Sequence, residues 1–294
     1  MIFISSFLRA TGALVGLAIG DALGAPLEGM PPPPRKVTEM EDSPKSGRRA
    51  GRYTDDTGQA LAIADSLAAC HGFSAEDMMV RLLRSYLRDP GVYGPTSARV
   101  FELVLSGMEP MEVVRYVHRL NGSSRSNGSV MRGPPIGIFY AGPMVEACSE
   151  ACARLTHYDP VNGACSAFLN RMVSDLTRGY PKEAAYARAL RRCRDPEVLA
   201  MLADYRHYEP VAGLDAVLAT HAAVSLFLRG RSYEEILVSA INIGGDTDTV
   251  GAMAGSLVGA CYGLPSIPER WLGKLEGLPE VMGSAWRLWA ASRE

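Results

Sequence analysis

Cysteine is scarce, with six in 294 residues, too few for a disulfide framework in a chain of this length. The thiols are expected to be reduced, as in a cytoplasmic protein. An excess of charge of either sign is missing as well: 30 Lys and Arg face 32 Asp and Glu. That balance, with 47% apolar residues, excludes intrinsic disorder. A pI near 6.2 argues against a dedicated nucleic-acid binder. Long hydrophobic runs are lacking too. The apolar start, Met1 to Ala25, has no basic leading region and is broken by Arg9 and Asp21. Val250 to Leu264 is uncharged for 15 residues, short of the ~20 of a membrane span. No membrane association is expected. Alternating strand-like patterns are nearly absent, which leaves an all-α chain, expected to be one domain over 1–294 with about a dozen helices.

Helix signals are plentiful. Ser74 and Asp77 have capping-box spacing ahead of a helix over 75–88, with Val80, Leu83, Tyr86 and Leu87 on one side. Pro110 suits a first helical turn before Met111, Val114, Val117 and Leu120. Asp159-Pro160 and Ser232 with Glu235 open two more helices. The irregular stretch runs from Pro31 through about Arg52, with four consecutive prolines and the basic Lys45–Arg52 segment; such a loop is functional or mobile, or else a solvated surface excursion. His221 in an apolar helix, Cys148 with Cys152, and Trp271, Trp286 and Trp289 are expected to be core residues.

Glycine recurs every fourth residue at Gly12, Gly16, Gly20 and Gly24, and again at Gly251, Gly255, Gly259 and Gly263. That spacing lines one face of a helix. Each helical glycine costs roughly 0.5–1 kcal/mol relative to alanine, so close helix–helix approach must offset it. The two helices are expected to pack together and bring their acidic ends together.

Two short segments carry most of the chemistry. Thr54-Asp55-Asp56-Thr57 precedes one apolar helix, and Gly244-Gly245-Asp246-Thr247-Asp248-Thr249 precedes the second glycine series. Asp and Thr suit helix N-caps, but a cap needs one residue, and adjacent carboxylates repel. Cations that hold the charge together explain both clusters better. The oxygen donors suit Mg²⁺, Mn²⁺ or Ca²⁺; with no His or Cys in either cluster, zinc is disfavoured. An EF-hand is excluded, since counting Asp246 as the first loop position puts Val250 and Leu257 at ligand positions. A third segment, Ser123 to Pro135, is rich in small polar residues that can form a phosphate nest.

In this order the motifs Gly20-Asp21-Ala22-Leu23-Gly24 with Glu28, Thr54-Asp55-Asp56-Thr57, Ser126-Asn127-Gly128 with Met131-Arg132, Thr156-His157, and Gly244 to Thr249 resemble the ADP-ribosylglycohydrolases. The resemblance implies an orthogonal multi-helix bundle with a dinuclear Mg²⁺ or Mn²⁺ centre in a cleft. Thr54, Asp55 and Asp56 would bind the metals from one side, and Asp246, Asp248 and Thr249 from the other. Glu28 would approach the reacting ribose, and Glu28 or Asp55 would accept the proton of the attacking water. Ser126, Asn127, Gly128 and Met131 would form the ADP-ribose loop, with His157 beside the ligand and Gly94 on a further contacting loop. The implied activity is metal-dependent release of ADP-ribose from a modified protein side chain or a small conjugate, by a monomer. The alternatives are an inactive ADP-ribose-binding or crystallin-like homologue, and a two-metal phosphohydrolase. Ser124 stands where arginine-specific members can carry an acidic residue, and Pro31–Pro34 follows Glu28 at the expected mouth of the cleft.

Overall fold

The structure is a computed structural model and describes residues 5–43 and 47–293; Lys45 of the basic stretch lies outside them. The first half of the fold comprises α1 (Ser6–Gly24), α2 (Asp55–Cys70), α3 (Ala75–Arg88), α4 (Pro95–Leu105), α5 (Pro110–Leu120), α6 (Pro134–Phe139) and α7 (Met144–Ala153). The second comprises α8 (Pro160–Thr177), α9 (Lys182–Arg192), α10 (Pro196–Ala203), α11 (Ala216–Arg229), α12 (Tyr233–Ile241), α13 (Thr247–Tyr262), α14 (Glu269–Leu272) and α15 (Leu278–Ala291). Among the described residues there is no strand, only isolated bridges, as the lack of alternating patterns predicts.

The two glycine series meet, as their spacing predicts. Helices α1 and α13 run antiparallel, and a Cβ placed at Gly12, Gly16 or Gly20 would overlap the carbonyl oxygen of Gly259, Gly255 or Gly251 respectively. Gly24 lies against the backbone of Thr247 and Asp248, so the C-terminus of α1 reaches the N-terminus of α13. Both helices are buried almost all round, because α2, α8, α11, α12 and α15 pack around the pair. Ser6–Leu27 is long and apolar enough to cross a membrane by length and composition, and 89% of its most apolar window is buried inside the bundle.

The expected caps are in place. Ser74 accepts from Asp77 N at 3.2 Å, Asp159 from Val161 N at 3.1 Å and Ser232 from Glu235 N at 3.2 Å. The buried face of α3 differs from the expectation: Met78, Met79, Leu82 and Tyr86 are buried, whereas Val80 and Leu87 are exposed. Two apolar stripes lie one residue apart, about 100° of rotation, and packing against α2 selects the first. Leu120 is also exposed at the end of α5. Trp271 and His221 are buried as expected, and Trp289 packs edge-on against Phe7, but Trp286 is 58% exposed. The segment after Glu28 is irregular yet tethered. Val37 bonds Asn242 through both its N–H and its carbonyl, at 2.8 Å each, and Trp271 Nε1 donates to the Thr38 carbonyl at 3.1 Å.

Gly20→Ala should destabilise the fold by about 2 kcal/mol or more, because the added methyl meets rigid backbone. Gly91→Ala, with only the Asp89 side chain at 3.8 Å, should change stability by less than about 0.5 kcal/mol in the same denaturation series. Equal effects would contradict the role given to the glycine seam.

Candidate active site

The N-terminus of α2 is capped from two sources. Thr54 Oγ1 accepts from Asp56 N at 3.4 Å. Asp21, fully buried on α1, accepts from Thr54 N at 2.9 Å, from Thr57 N at 3.0 Å and from the Thr57 hydroxyl at 2.6 Å. Asp56 N and Thr57 N are thereby met without either carboxylate, so simple capping does not account for the paired carboxylates. Asp55 Oδ2 accepts from Gln59 Nε2 at 2.8 Å, and Gln59 Oε1 accepts from Arg132 Nη1 at 2.8 Å. Arg132 is itself fully buried and donates to the Cys152 carbonyl at 2.9 Å. Asp56 Oδ1 is buried without a hydrogen-bond partner.

The second cluster is built by backbone. Gly244 and Gly245 take φ of +75° and +83°, which favours glycine, and a Cβ at Gly245 would overlap the Ala212 carbonyl. Asp246 N donates to that carbonyl at 2.8 Å. Gly29 N donates to Gly245 O, and Gly245 N to Met30 O, both at 2.8 Å. Pro32 packs against Gly244. The segment after Glu28 therefore braces the acidic loop rather than standing off as a solvated excursion. Carboxylate oxygens of Glu28, Asp246 and Asp248 lie within 4.8 Å of one another. Asp246 heads α13 without a side-chain cap bond and accepts from Asn127 Nδ2.

Like charges crowd a dry site. Burial raises Asp55 to about 8, helped by the charges of Asp21 and Glu28, and raises Asp21 to about 6 against the pull of its own hydrogen bonds. Asp56 and Asp248 are pushed well above the usual carboxylate range, by burial first and then by neighbouring carboxylates; Asp56 responds to Asp246, and Asp248 to Asp56 and Glu28. The acidic ends of α2 and α13 thus face one another. Among the described residues none of these aspartates has an arginine or lysine ion-pair partner. Hard oxygen donors, an orphaned carboxylate oxygen and uncompensated buried negative charge fit a divalent cation.

The remaining predicted residues form one loop system. Ser126 Oγ lies 3.4 Å from Thr96 Oγ1, just after Gly94, which heads α4. Asn127 N donates to Leu214 O at 2.8 Å, and Gly128 sits over the His157 ring. His157 is fully buried behind the loop, with Nε2 at 2.8 Å from Ser126 Oγ and Nδ1 at 2.8 Å from Thr156 Oγ1; burial lowers its pKa to about 3. It supports the loop as a neutral ring. Met131 lies beneath Thr249, whose hydroxyl is 3.7 Å from its sulfur. Ser124 faces inward: its hydroxyl accepts from Tyr158 N at 3.0 Å and Asp159 N at 3.1 Å. Sequence reasoning did not assign roles to Asp21, Gln59 or Arg132. Gln59 follows Asp55 by one helical turn, a spacing that could have flagged it; the Asp21 contacts link residues over 30 apart.

Comparisons with known proteins bear on the family of this chain. The family model of ADP-ribosylglycohydrolase matches residues 5–294. The chain is 30% identical to the ADP-ribosyl-[dinitrogen reductase] glycohydrolase of Rhodospirillum rubrum, covering 91% of this chain and 90% of that one. It is 28% identical to human ADP-ribosylhydrolase ARH3, covering 94% and 91%. It is 27% identical to ADP-ribosylarginine hydrolase Tri1 of Pseudomonas putida, covering 91% and 74%. A solved structure titled ADP-ribosylglycohydrolase-related protein complex superposes with a TM-score of 0.85 at 32% identity, covering 98% of this chain and 99% of that one.

Two measurements test the electrostatics. With Asp55 held at about 8, the cation-free folded protein binds more protons than the unfolded chain from about pH 4 to pH 8, so its stability should fall as pH rises through that window. Mg²⁺ or Mn²⁺ replaces those protons, and its elevation of the thermal midpoint should be larger near pH 8 than near pH 5; equal elevation at both would contradict a carboxylate site. Asp21→Asn should weaken cation binding, measured by calorimetry, by about tenfold or more, because three α2 donors lose their anionic acceptor.

Proposed function

This chain belongs to the ADP-ribosylglycohydrolase family, and we propose on that footing that it hydrolyses the glycosidic bond between ADP-ribose and an acceptor, releasing ADP-ribose. The observation that carries the reading is the convergence of Glu28, Asp246 and Asp248 within 4.8 Å beside the buried Asp55–Asp56 pair. A protein kept only for binding or structure would have no need of so much uncompensated buried charge, and this tells against the inactive alternative.

Thr54, Asp55, Asp56, Asp246, Asp248 and Thr249 are the residues we assign to two divalent cations, Mg²⁺ or Mn²⁺. When bound, these supply compensation for the carboxylates and a lowered pKa for an attacking water. The chain's own residues do the rest. Ser126, Asn127 and Gly128, with Gly94 alongside, hold the distal ribose and diphosphate, and the buried His157 and Met131 keep that loop and Thr249 in register. Asn127 also bonds Asp246, so the ligand loop and the carboxylate cluster share one hydrogen-bonded unit. Glu28, exposed at the mouth, or Asp55 takes the proton of the water as it attacks the anomeric carbon. The bond to the acceptor breaks with oxocarbenium character, and the surrounding carboxylates stabilise the positive charge that develops. The carboxyl group that took the proton from the water returns it to the departing acceptor, which leaves with that proton. The substrate is an ADP-ribosylated protein or a small ADP-ribose conjugate, and the working form is a monomer.

Asp55→Ala and Asp248→Ala should abolish cation binding and ADP-ribose release together. Glu28→Ala should retain the cation while lowering kcat by about a hundredfold, measured as free ADP-ribose released with Mg²⁺, Mn²⁺ or EDTA. Unchanged release in all three variants would overturn the assignment, and inorganic phosphate as the product would favour a phosphohydrolase.

A further inference from the structure

We propose that the face where the start of α7 meets the C-terminal halves of α8 and α9 is a binding site for a phosphate monoester, separate from the carboxylate centre. A cavity of about 190 Å³ opens there, lined by Gly142, Pro143, Arg171, Arg188, Arg191 and Arg192. It stands away from the ADP-ribose loop. Asn162, which donates to the Ser126 carbonyl, and Arg171 both lie on α8, about 14 Å apart along its axis.

The arginines outnumber the acids that hold them. Arg171, with a side chain only 5% exposed, is fixed by Glu146 at 2.7 Å and by the Gly142 carbonyl. Its Nη1 stays 4.0 Å from Asp175 Oδ1, beyond hydrogen-bond distance. Arg188 engages Asp175 through Nε at 2.7 Å, and Arg192 engages Glu146 through Nε at 3.2 Å. Among the described residues the terminal nitrogens of both make no hydrogen bond, and the exposed Arg191 makes no ion pair. Two carboxylates therefore serve four guanidiniums, and neither carboxylate lines the cavity. Glu183, the acid on α9, lies toward Cys261 and Tyr262 instead. A neighbouring cavity beyond Arg192 brings in Glu150 and Asp195, but Arg154 and Arg194 with them, so the surplus stands. The N-terminus of α7, at Pro143, adds the positive end of its dipole.

That surplus selects the ligand. A phosphate monoester carries about −1.5 to −2 at neutral pH and presents three terminal oxygens, which suit paired guanidinium N–H groups. A lone carboxylate would leave half of the surplus unmet. The cavity is smaller than the ~300–1,000 Å³ of a whole small-molecule site, so the phosphoryl group enters and the rest of the ligand stays outside.

The test uses the cation-free full chain at constant ionic strength near pH 7. Inorganic phosphate, a phosphoserine peptide, its unphosphorylated form, acetate and a single-stranded oligonucleotide are titrated, with elevation of the thermal midpoint and, for the peptides and the oligonucleotide, fluorescence anisotropy as readouts. Arg191→Ala should weaken phosphate binding about tenfold and Arg191→Lys about threefold, with the thermal midpoint in chloride alone unchanged. Asn127→Ala, in the ADP-ribose loop, should leave the Arg191-dependent binding as it is. Tighter binding of the phosphopeptide than of inorganic phosphate, lost in Arg191→Ala, would support the site with a phosphorylated protein as the source; equal binding, lost in the same variant, would support it with a small phosphate ester. No binding of phosphate by the unmodified protein, no effect of Arg191→Ala and Arg192→Ala, loss in Asn127→Ala alone, an equal response to acetate, or tighter binding of the oligonucleotide than of the phosphopeptide would overturn it. None of these readouts depends on ADP-ribose hydrolysis.

Discussion

The backbone contact between α1 and α13 is the constraint on which the rest of the structure depends. Gly12, Gly16 and Gly20 bring α1 so close to α13 that the opposing carbonyls of Gly259, Gly255 and Gly251 occupy the space a methyl group would need. Seven glycines within the two helices sacrifice several kcal/mol of helix propensity. The return is a central antiparallel pair buried on nearly every side, around which the other helices pack. Because the pair is antiparallel, the end of α1 that leads to Glu28 meets the start of α13 that carries Asp246 and Asp248. The spacing of these carboxyl groups is thereby set by main-chain contact rather than by flexible side chains.

Concentrated negative charge is the second constraint. The site places aspartates at two helix N-termini, where the dipole favours anions, and other groups share the hydrogen bonding there, although Asp248 accepts from Thr249 N at 2.9 Å. Thr54 and Asp21 serve α2, while at α13 the backbone pairing of Met30 and Ala212 with Gly245 holds the loop. This division of labour leaves Asp55, Asp56, Asp246 and Asp248 available for a ligand at the expense of electrostatic strain, visible in the raised pKa values of Asp55, Asp56 and Asp248. A buried arginine, Arg132, stands one residue removed from Asp55 through Gln59, close enough to orient it and too far to neutralise it.

The ligand loop follows the same logic of indirect support. The resemblance puts His157 beside the ligand; in the fold it lies wholly buried and shapes Ser126 from behind. Ser124 likewise turns inward to hold the start of α8. The tetraproline stretch lies against Gly244 through Pro32 and stiffens the approach to Glu28. The loop after Glu28 is long, yet Asn242 and Trp271 tether its middle.

What the sequence determined by itself was whatever is local or periodic. The capping residues Ser74, Asp159 and Ser232, the absence of alternating strands and the four-residue glycine spacing fix helix type, helix starts and one interhelical seam, since each depends on neighbours within a turn or two. The carboxylate clusters were equally legible, because adjacent like charges need an explanation wherever they occur. Which of two apolar stripes of α3 turns inward, the exposure of Trp286 and the retreat of His157 depend on what another part of the chain presents, and no local pattern encodes that. The same holds for Asp21. Its sequence neighbours are glycine, alanine and leucine, and its role as the acceptor for Thr54 and Thr57 exists only because the glycine seam and the packing of α2 bring residues more than 30 apart within hydrogen-bond distance. Tertiary structure decided these points, because burial and long-range hydrogen bonds are properties of the packed ensemble of helices and not of any one of them.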